Sequence, residues 1–178
     1  MIRLFVGLGL PADLATRLEA LAGGVPGARW VAARNLHVTL RFIGEVDEAQ
    51  AEELHDHLCR LQARPLALTI KDFGSFGGAK PRALWAAIKP DPALDRLQHK
   101  VEQAAQAIGL APEGRKFIPH ITLAWLKGAP ADRVAGFIAH HTPWAAALPV
   151  AAFTVYRSLL GAGGAEYQAL TEYPLDSK

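Results

Sequence analysis

The chain has 178 residues, about half of them hydrophobic, and a net charge of +2. That supports one domain with a real core, and it argues against a protein that coats long nucleic acid by neutralising many phosphates. The single cysteine, Cys59, excludes an intrachain disulfide and a thiolate metal cluster.

In chain order, Ile2 to Leu8 reads as a strand rather than a targeting segment. Pro11 opens a helix with Leu14, Leu18 and Leu21 at helical spacing, ended by Gly23-Gly24. The run "LHVTLRFIG", Leu36 to Gly44, alternates. Leu36, Val38, Leu40 and Phe42 are expected on the core face, and His37, Thr39 and Arg41 on the other. Asp47 with Gln50 has the form of a capping box, ahead of a helix with Ala51, Leu54, Leu58 and Leu61 on one stripe. Cys59 falls in that helix, "AEELHDHLCRLQ", and is expected as a small buried hydrophobe. "PLALTIKDF" is a strand, followed by a glycine-rich loop, "GSFGGAKPR".

The second half repeats the order. "RALWAAIK" is a strand. Asp91-Pro92 starts a helix striped by Leu94, Leu97, Val101 and Ile108, with Gly109 after it. "FIPHITLAWL" is a strand, Pro130 to His141 a helix, "LPVAAFTVYRSLL" a strand, "GAGG" a turn and "AEYQALTEYPL" a last strand. Each half reads strand, helix, strand with His-x-Thr, helix, strand. The expected architecture is one α+β domain over residues 1–178, duplicated into two lobes with pseudo-symmetry. No apolar run reaches membrane-spanning length. A cytoplasmic protein with no membrane partner is expected, and a monomer.

The two halves share His-x-Thr-Leu, at His37 to Leu40 and at His120 to Leu123. Period-2 geometry puts each histidine and its threonine on one face, about 6–7 Å apart. A pseudo-twofold axis would bring both histidines into one cleft. That arrangement suits displacement at phosphorus. One imidazole takes a proton from the nucleophile and the other gives one to the leaving oxygen, since both roles are open near the imidazole pKa of about 6.5. Thr39 and Thr122 can hydrogen-bond the non-bridging oxygens, and Arg41 would extend the same face. A lone histidine on a half-buried strand is more often structural, and threonines are good strand formers; the pairing at matched places favours chemistry. A zinc site fits poorly, because two histidines without nearby carboxylate or cysteine are too few. The design asks for no metal and no cofactor. His55, His57, His99, His140 and His141 are not assigned to it.

With the blocks "RLFVGLGLP", "W…LHVTLRFIGEV", "RALW", "FIPHITLAW" and "SLLGAGGAEYQAL", nearly the whole chain resembles the 2H phosphoesterase superfamily. Within it, the chain is similar to the RNA 2′,3′-cyclic phosphodiesterases, also called 2′-5′ RNA ligase-like proteins. The resemblance implies a bilobal α+β fold, with antiparallel sheets lining a central cleft and helices outside. It implies hydrolysis of RNA 2′,3′-cyclic phosphate ends, or of cyclic nucleotides, to a 2′-phosphate. His37 would be the acid for the departing 3′ oxygen, His120 the base for water, and Thr39 and Thr122 the phosphate holders. An RNA-end binding protein without turnover, or a ligase making 2′-5′ bonds, are the alternatives. Such proteins often carry an arginine where this chain has Trp125. Lys127, Arg115, Lys116 or Arg157 are possible substitutes. Phe76, Trp30 and Trp125 are candidate base platforms, with Lys80 and Arg82 at the entrance; Phe42 is expected in the core.

Overall fold

A computed structural model describes residues 1–176. In chain order the elements are β1 (Ile2–Gly9), α1 (Ala12–Glu19), β2 (Ala28–Trp30), a 3-10 turn (Ala33–Asn35), β3 (His37–Val46), α2 (Glu48–Cys59), β4 (Leu66–Phe76), β5 (Ala83–Ile88), α3 (Pro92–Ala107), β6 (His120–Leu126), α4 (Ala131–His141), β7 (Ala145–Val150), β8 (Ala152–Gly161) and β9 (Gly164–Pro174).

The helix starts follow their capping chemistry. The Asp47 side chain accepts from the Gln50 N–H, and the Gln50 side chain returns the bond, so the capping box is complete. Asp91 accepts from the N–H groups of Ala93 and Leu94, with Pro92 at the first helical position. The expected stripes are inside: Leu54 and Leu58 in α2, and Leu94, Leu97 and Val101 in α3, are at most 1% exposed. Cys59 is exposed, contrary to expectation. Leu54 and Leu58 take the buried stripe of α2, which leaves Cys59 beside His55 at the solvent side.

The nine strands of the described residues belong to one sheet, ordered β7-β4-β5-β6-β3-β1-β8-β9, with β2 added beside β6. Every pairing is antiparallel. At its centre, β3 and β6 share a single residue pair, Val38 with Ile121. The sheet is therefore nearly divided there into two arms, the two lobes expected. The order is symmetric about that centre: β1 matches β5, β8 matches β4, and β9 matches β7. Strands have crossed between the arms, β4 directly after α2 and β8 after α4 and β7. β4 follows α2 yet pairs with β5 and β7, and β8 follows α4 yet pairs with β1 and β9. The duplication expected from sequence is present, with β4 of the first half lying in the second arm and the β8–β9 hairpin of the second half lying in the first.

The expected strand "LPVAAFTVYRSLL" is two strands. Its first part begins earlier, at Ala145, and lies at the far edge as β7, where Pro149 is tolerated because no further strand needs its N–H. Helix α3 packs behind β3 and α4 behind β4. No helix among the described residues is long and apolar enough to cross a membrane.

Candidate active site

His37 begins β3 and His120 begins β6. The one bridge between these strands, Val38 to Ile121, fixes their relative placement. Continued by one residue either way, the antiparallel register sets His37 opposite Thr122 and Thr39 opposite His120. The four side chains are half-buried and face one side of the sheet at the junction of its arms.

Both imidazoles are held in the same way. His37 Nδ1–H donates to the carbonyl of Asn35 at 2.6 Å, and His120 Nδ1–H donates to the carbonyl of Ile118 at 2.6 Å. Each ring is thereby fixed in one tautomer by a carbonyl two residues upstream, with Nε2 left for chemistry. At His37, the Thr39 hydroxyl donates to Nε2 at 3.1 Å.

Aromatic rings wall each histidine. Phe5, at 4.7 Å between centroids, and Tyr167, at 5.1 Å, flank His37. Phe76, at 5.1 Å, and Trp85, at 6.1 Å, flank His120. Trp85 lies across Gly74, where a Cβ would meet its ring at 2.3–2.7 Å. Burial pushes the His37 imidazole below its usual value; the bond to the Asn35 carbonyl opposes this, and the charge of nearby His120 adds to it. Burial also pushes the phenols of Tyr156 and Tyr167 up.

Two β-bulges, at matching places, decide what else faces this cleft. In β3, Thr39 pairs with Gly7 and Arg41 with Val6, so Leu40 is an extra residue. In β6, Thr122 pairs with Trp85 and Ala124 with Leu84, so Leu123 is extra. Beyond each bulge the alternation is inverted. Phe42 pairs with Phe5, whose ring packs on His37, and Trp125 is brought to the matching side.

Comparison with known proteins agrees with this duplicated site. The family described as LigT like Phosphoesterase matches residues 8–85 and again residues 88–167, one match per half. The chain belongs to the LigT-like phosphoesterase family. An RNA 2′,3′-cyclic phosphodiesterase of Thermotoga maritima is 34% identical over 149 residues, covering 82% of this chain and 79% of that protein. One from Escherichia coli is 29% identical, with 97% and 96% covered. The crystal structure of E. coli LigT complexed with 3′-AMP aligns with a TM-score of 0.79 at 29% identity, covering 98% of each chain. A crystal structure from Thermus thermophilus gives 0.81 at 25% identity, covering 97% of each.

Within this LigT-like phosphoesterase, the two histidines and two threonines lie together on one face. Arg41 does not join them, because the Leu40 bulge turns it to the opposite face. There its Nε sits 2.7 Å from a Glu102 carboxylate oxygen on α3, Glu113 is at 3.4 Å, and the guanidinium donates to the carbonyl of Ala111. Phe42, expected in the core, is 61% exposed for the same reason, and Trp125 is 47% exposed. Arg157 pairs with Leu4 and Tyr156 with Phe5, so Arg157 is turned from the cleft. Trp30 packs on Phe137 at 5.5 Å, and Phe76 belongs to β4 rather than to the loop. Sequence reasoning missed the ring walls Phe5, Trp85, Tyr156 and Tyr167, and it missed Arg29. Arg29 lies on β2 directly opposite Trp125.

Proposed function

We propose that this LigT-like phosphoesterase opens the 2′,3′-cyclic phosphate at an RNA end to a 2′-phosphate, without a metal ion. Supporting this is the pair of imidazoles in one cleft, each with Nδ1–H bound to the carbonyl two residues upstream and Nε2 unclaimed by any carboxylate among the described residues. The names of the relatives point to the same substrate class.

In the proposed step, His120 Nε2 takes a proton from water as its oxygen attacks phosphorus. The bond from phosphorus to the 3′ oxygen breaks, and that oxygen takes a proton from His37 Nε2. One water is added, and the pair ends with its proton on the other ring. Thr39 and Thr122 donate to the non-bridging oxygens as charge gathers there. Arg41 is left out of the phosphate set, because carboxylates already neutralise it. Burial favours neutral His37 in the free protein, so His37 takes up its proton from solvent as the substrate binds, because the negative charge of the substrate favours the imidazolium. A cytoplasmic setting suits the lone exposed thiol of Cys59.

The test is hydrolysis of adenosine 2′,3′-cyclic phosphate with a chelator present, with the product read by phosphorus NMR. The expected product is the 2′-phosphate. Alanine at His37 or at His120 should lower the rate about 10²–10⁴-fold. Full rates in both variants would sink the assignment.

A further inference from the structure

A recess of about 470 Å³ opens near His37, between β2 and β6 on one side and the β8–β9 hairpin on the other. Its size is that of a small-ligand site. Arg29, Asn35, Trp125, Leu160, Gly164 and Tyr167 are among its lining residues. It adjoins the His37 side of the cleft, because Tyr167 forms its wall and also meets the His37 ring edge-on. Asn35 ties the two together. Its backbone carbonyl holds His37, its side-chain amide donates to the carbonyl of Ala165 at 3.0 Å, and its side-chain oxygen accepts from the N–H of Tyr167.

Two groups in this recess are unspent. Trp125 keeps 47% of its surface exposed on the cleft side of its bulge. Arg29 is its cross-strand partner, so the two side chains stand next to each other on one face. Arg29 has no carboxylate within ion-pair distance among the described residues. Its guanidinium reaches across the recess to the hairpin turn, where a Cβ on Gly164 would lie 3.4 Å from it. An exposed indole beside an unpaired guanidinium suits a ligand with one flat aromatic group and one anionic group. Stacking on an indole is tolerant of base identity, because every nucleobase has a π-face.

We propose that this recess holds the nucleotide adjoining the reacting RNA end, with its base stacked on Trp125 and the phosphodiester that links it to the terminal nucleotide on Arg29. The proposal rests on the phosphodiesterase reading above and deepens it. It separates two substrates that share the same reacting group. A cyclic mononucleotide has neither a second base nor a linking phosphodiester; an oligoribonucleotide has both.

The experiment compares adenosine 2′,3′-cyclic phosphate with a short oligoribonucleotide ending in the same group. Trp125→Ala and Arg29→Ala should each lower kcat/KM for the oligonucleotide about tenfold, through KM, and change the mononucleotide less than twofold. Trp125→Phe should recover most of the loss, and Arg29→Ala should flatten the salt dependence of oligonucleotide KM. Equal losses on both substrates, or no loss on either, would overturn the subsite. If the unmodified protein hydrolyses neither substrate, the phosphodiesterase reading has failed. The subsite is then decided by anisotropy of a labelled oligoribonucleotide with a terminal 3′-phosphate. Weaker binding by Trp125→Ala supports it, and unchanged or undetectable binding overturns it.

Discussion

Thr39 and Arg41 are two residues apart in β3, yet they pair with adjacent residues of β1, Gly7 and Val6, and so face opposite sides of the sheet. A single extra residue, Leu40, thus divides a polar strand face into a part that faces the cleft and a part that faces the helix layer. Thr39 stays with His37, and Arg41 is delivered to the carboxylates of Glu102 and Glu113.

Arg41 should therefore matter to stability. The Arg41 and Glu102 side chains are 9% and 11% exposed. Removing one partner leaves the other charge buried and uncompensated, which costs about 3–5 kcal/mol. Arg41→Ala should show that loss in urea unfolding, and Arg41→Met with Glu102→Leu should recover most of it. A fall in phosphate affinity with unchanged stability would contradict this.

The residual pH dependence of single-histidine variants separates the acid from the base. In His120→Ala, the remaining activity depends on His37 alone. As an acid, His37 must be protonated, so residual kcat/KM should fall as pH rises. Burial sets that fall below the ordinary imidazole value of 6.5. A residual rate that climbs with pH would reverse the two roles.

Thr39 donates to His37 Nε2 in the free protein and is assigned to a phosphoryl oxygen in the reaction. Thr39→Ser keeps the hydroxyl and should stay within a few-fold of the parent kcat. Thr39→Val removes it and should cost about 10²–10³ in kcat, the range for losing one oxyanion donor. Similar kinetics for the two variants would remove the hydroxyl from the mechanism.

His37 also ties stability to pH. Its folded value lies below its unfolded value, so below about 6.5 the unfolded chain binds the proton more readily. Stability contributed by neutral His37 is full above 6.5 and is lost as pH falls from there through the folded value. His37→Gln should flatten the decline in stability between pH 7 and pH 5. An identical decline in both proteins would show that other groups cause it.

Gly74 lets Trp85 lie across β4 beside His120. Gly74→Ala would put a methyl group 2.3–2.7 Å from that ring, which has to move. The expected cost is about 1–3 kcal/mol from overpacking. Turnover should drop too as the wall of His120 shifts, read by kcat at a temperature where the variant remains folded.

The helices, the duplication and the His-x-Thr pair were legible because local rules govern them: capping side chains, 3.6-residue stripes and period-2 alternation. The bulges were harder to read, because a strict alternation was carried through Arg41 to Phe42. A signal was present. Phe42-Ile43 and Trp125-Leu126 are adjacent apolar pairs, which a regular half-buried strand could not both hide, and Ile43 and Leu126 prove to be the buried members. Strand β2 is three residues long and is held by pairing to β6, a distant contact with no local signature. The exchange of β4 and the β8–β9 hairpin was invisible for the same reason, since alternation records which face is buried and not which neighbour lies alongside.

That exchange gives the chain the character of a strand-swapped dimer joined end to end. Neither half owns a complete layer, so excising one strips β4 or the β8–β9 hairpin from the other, and each fragment would expose open backbone at the gap. Thermal melting should consequently be a single event for both halves. A nick in the Gly77–Arg82 turn should yield two pieces that stay associated and recover function only together.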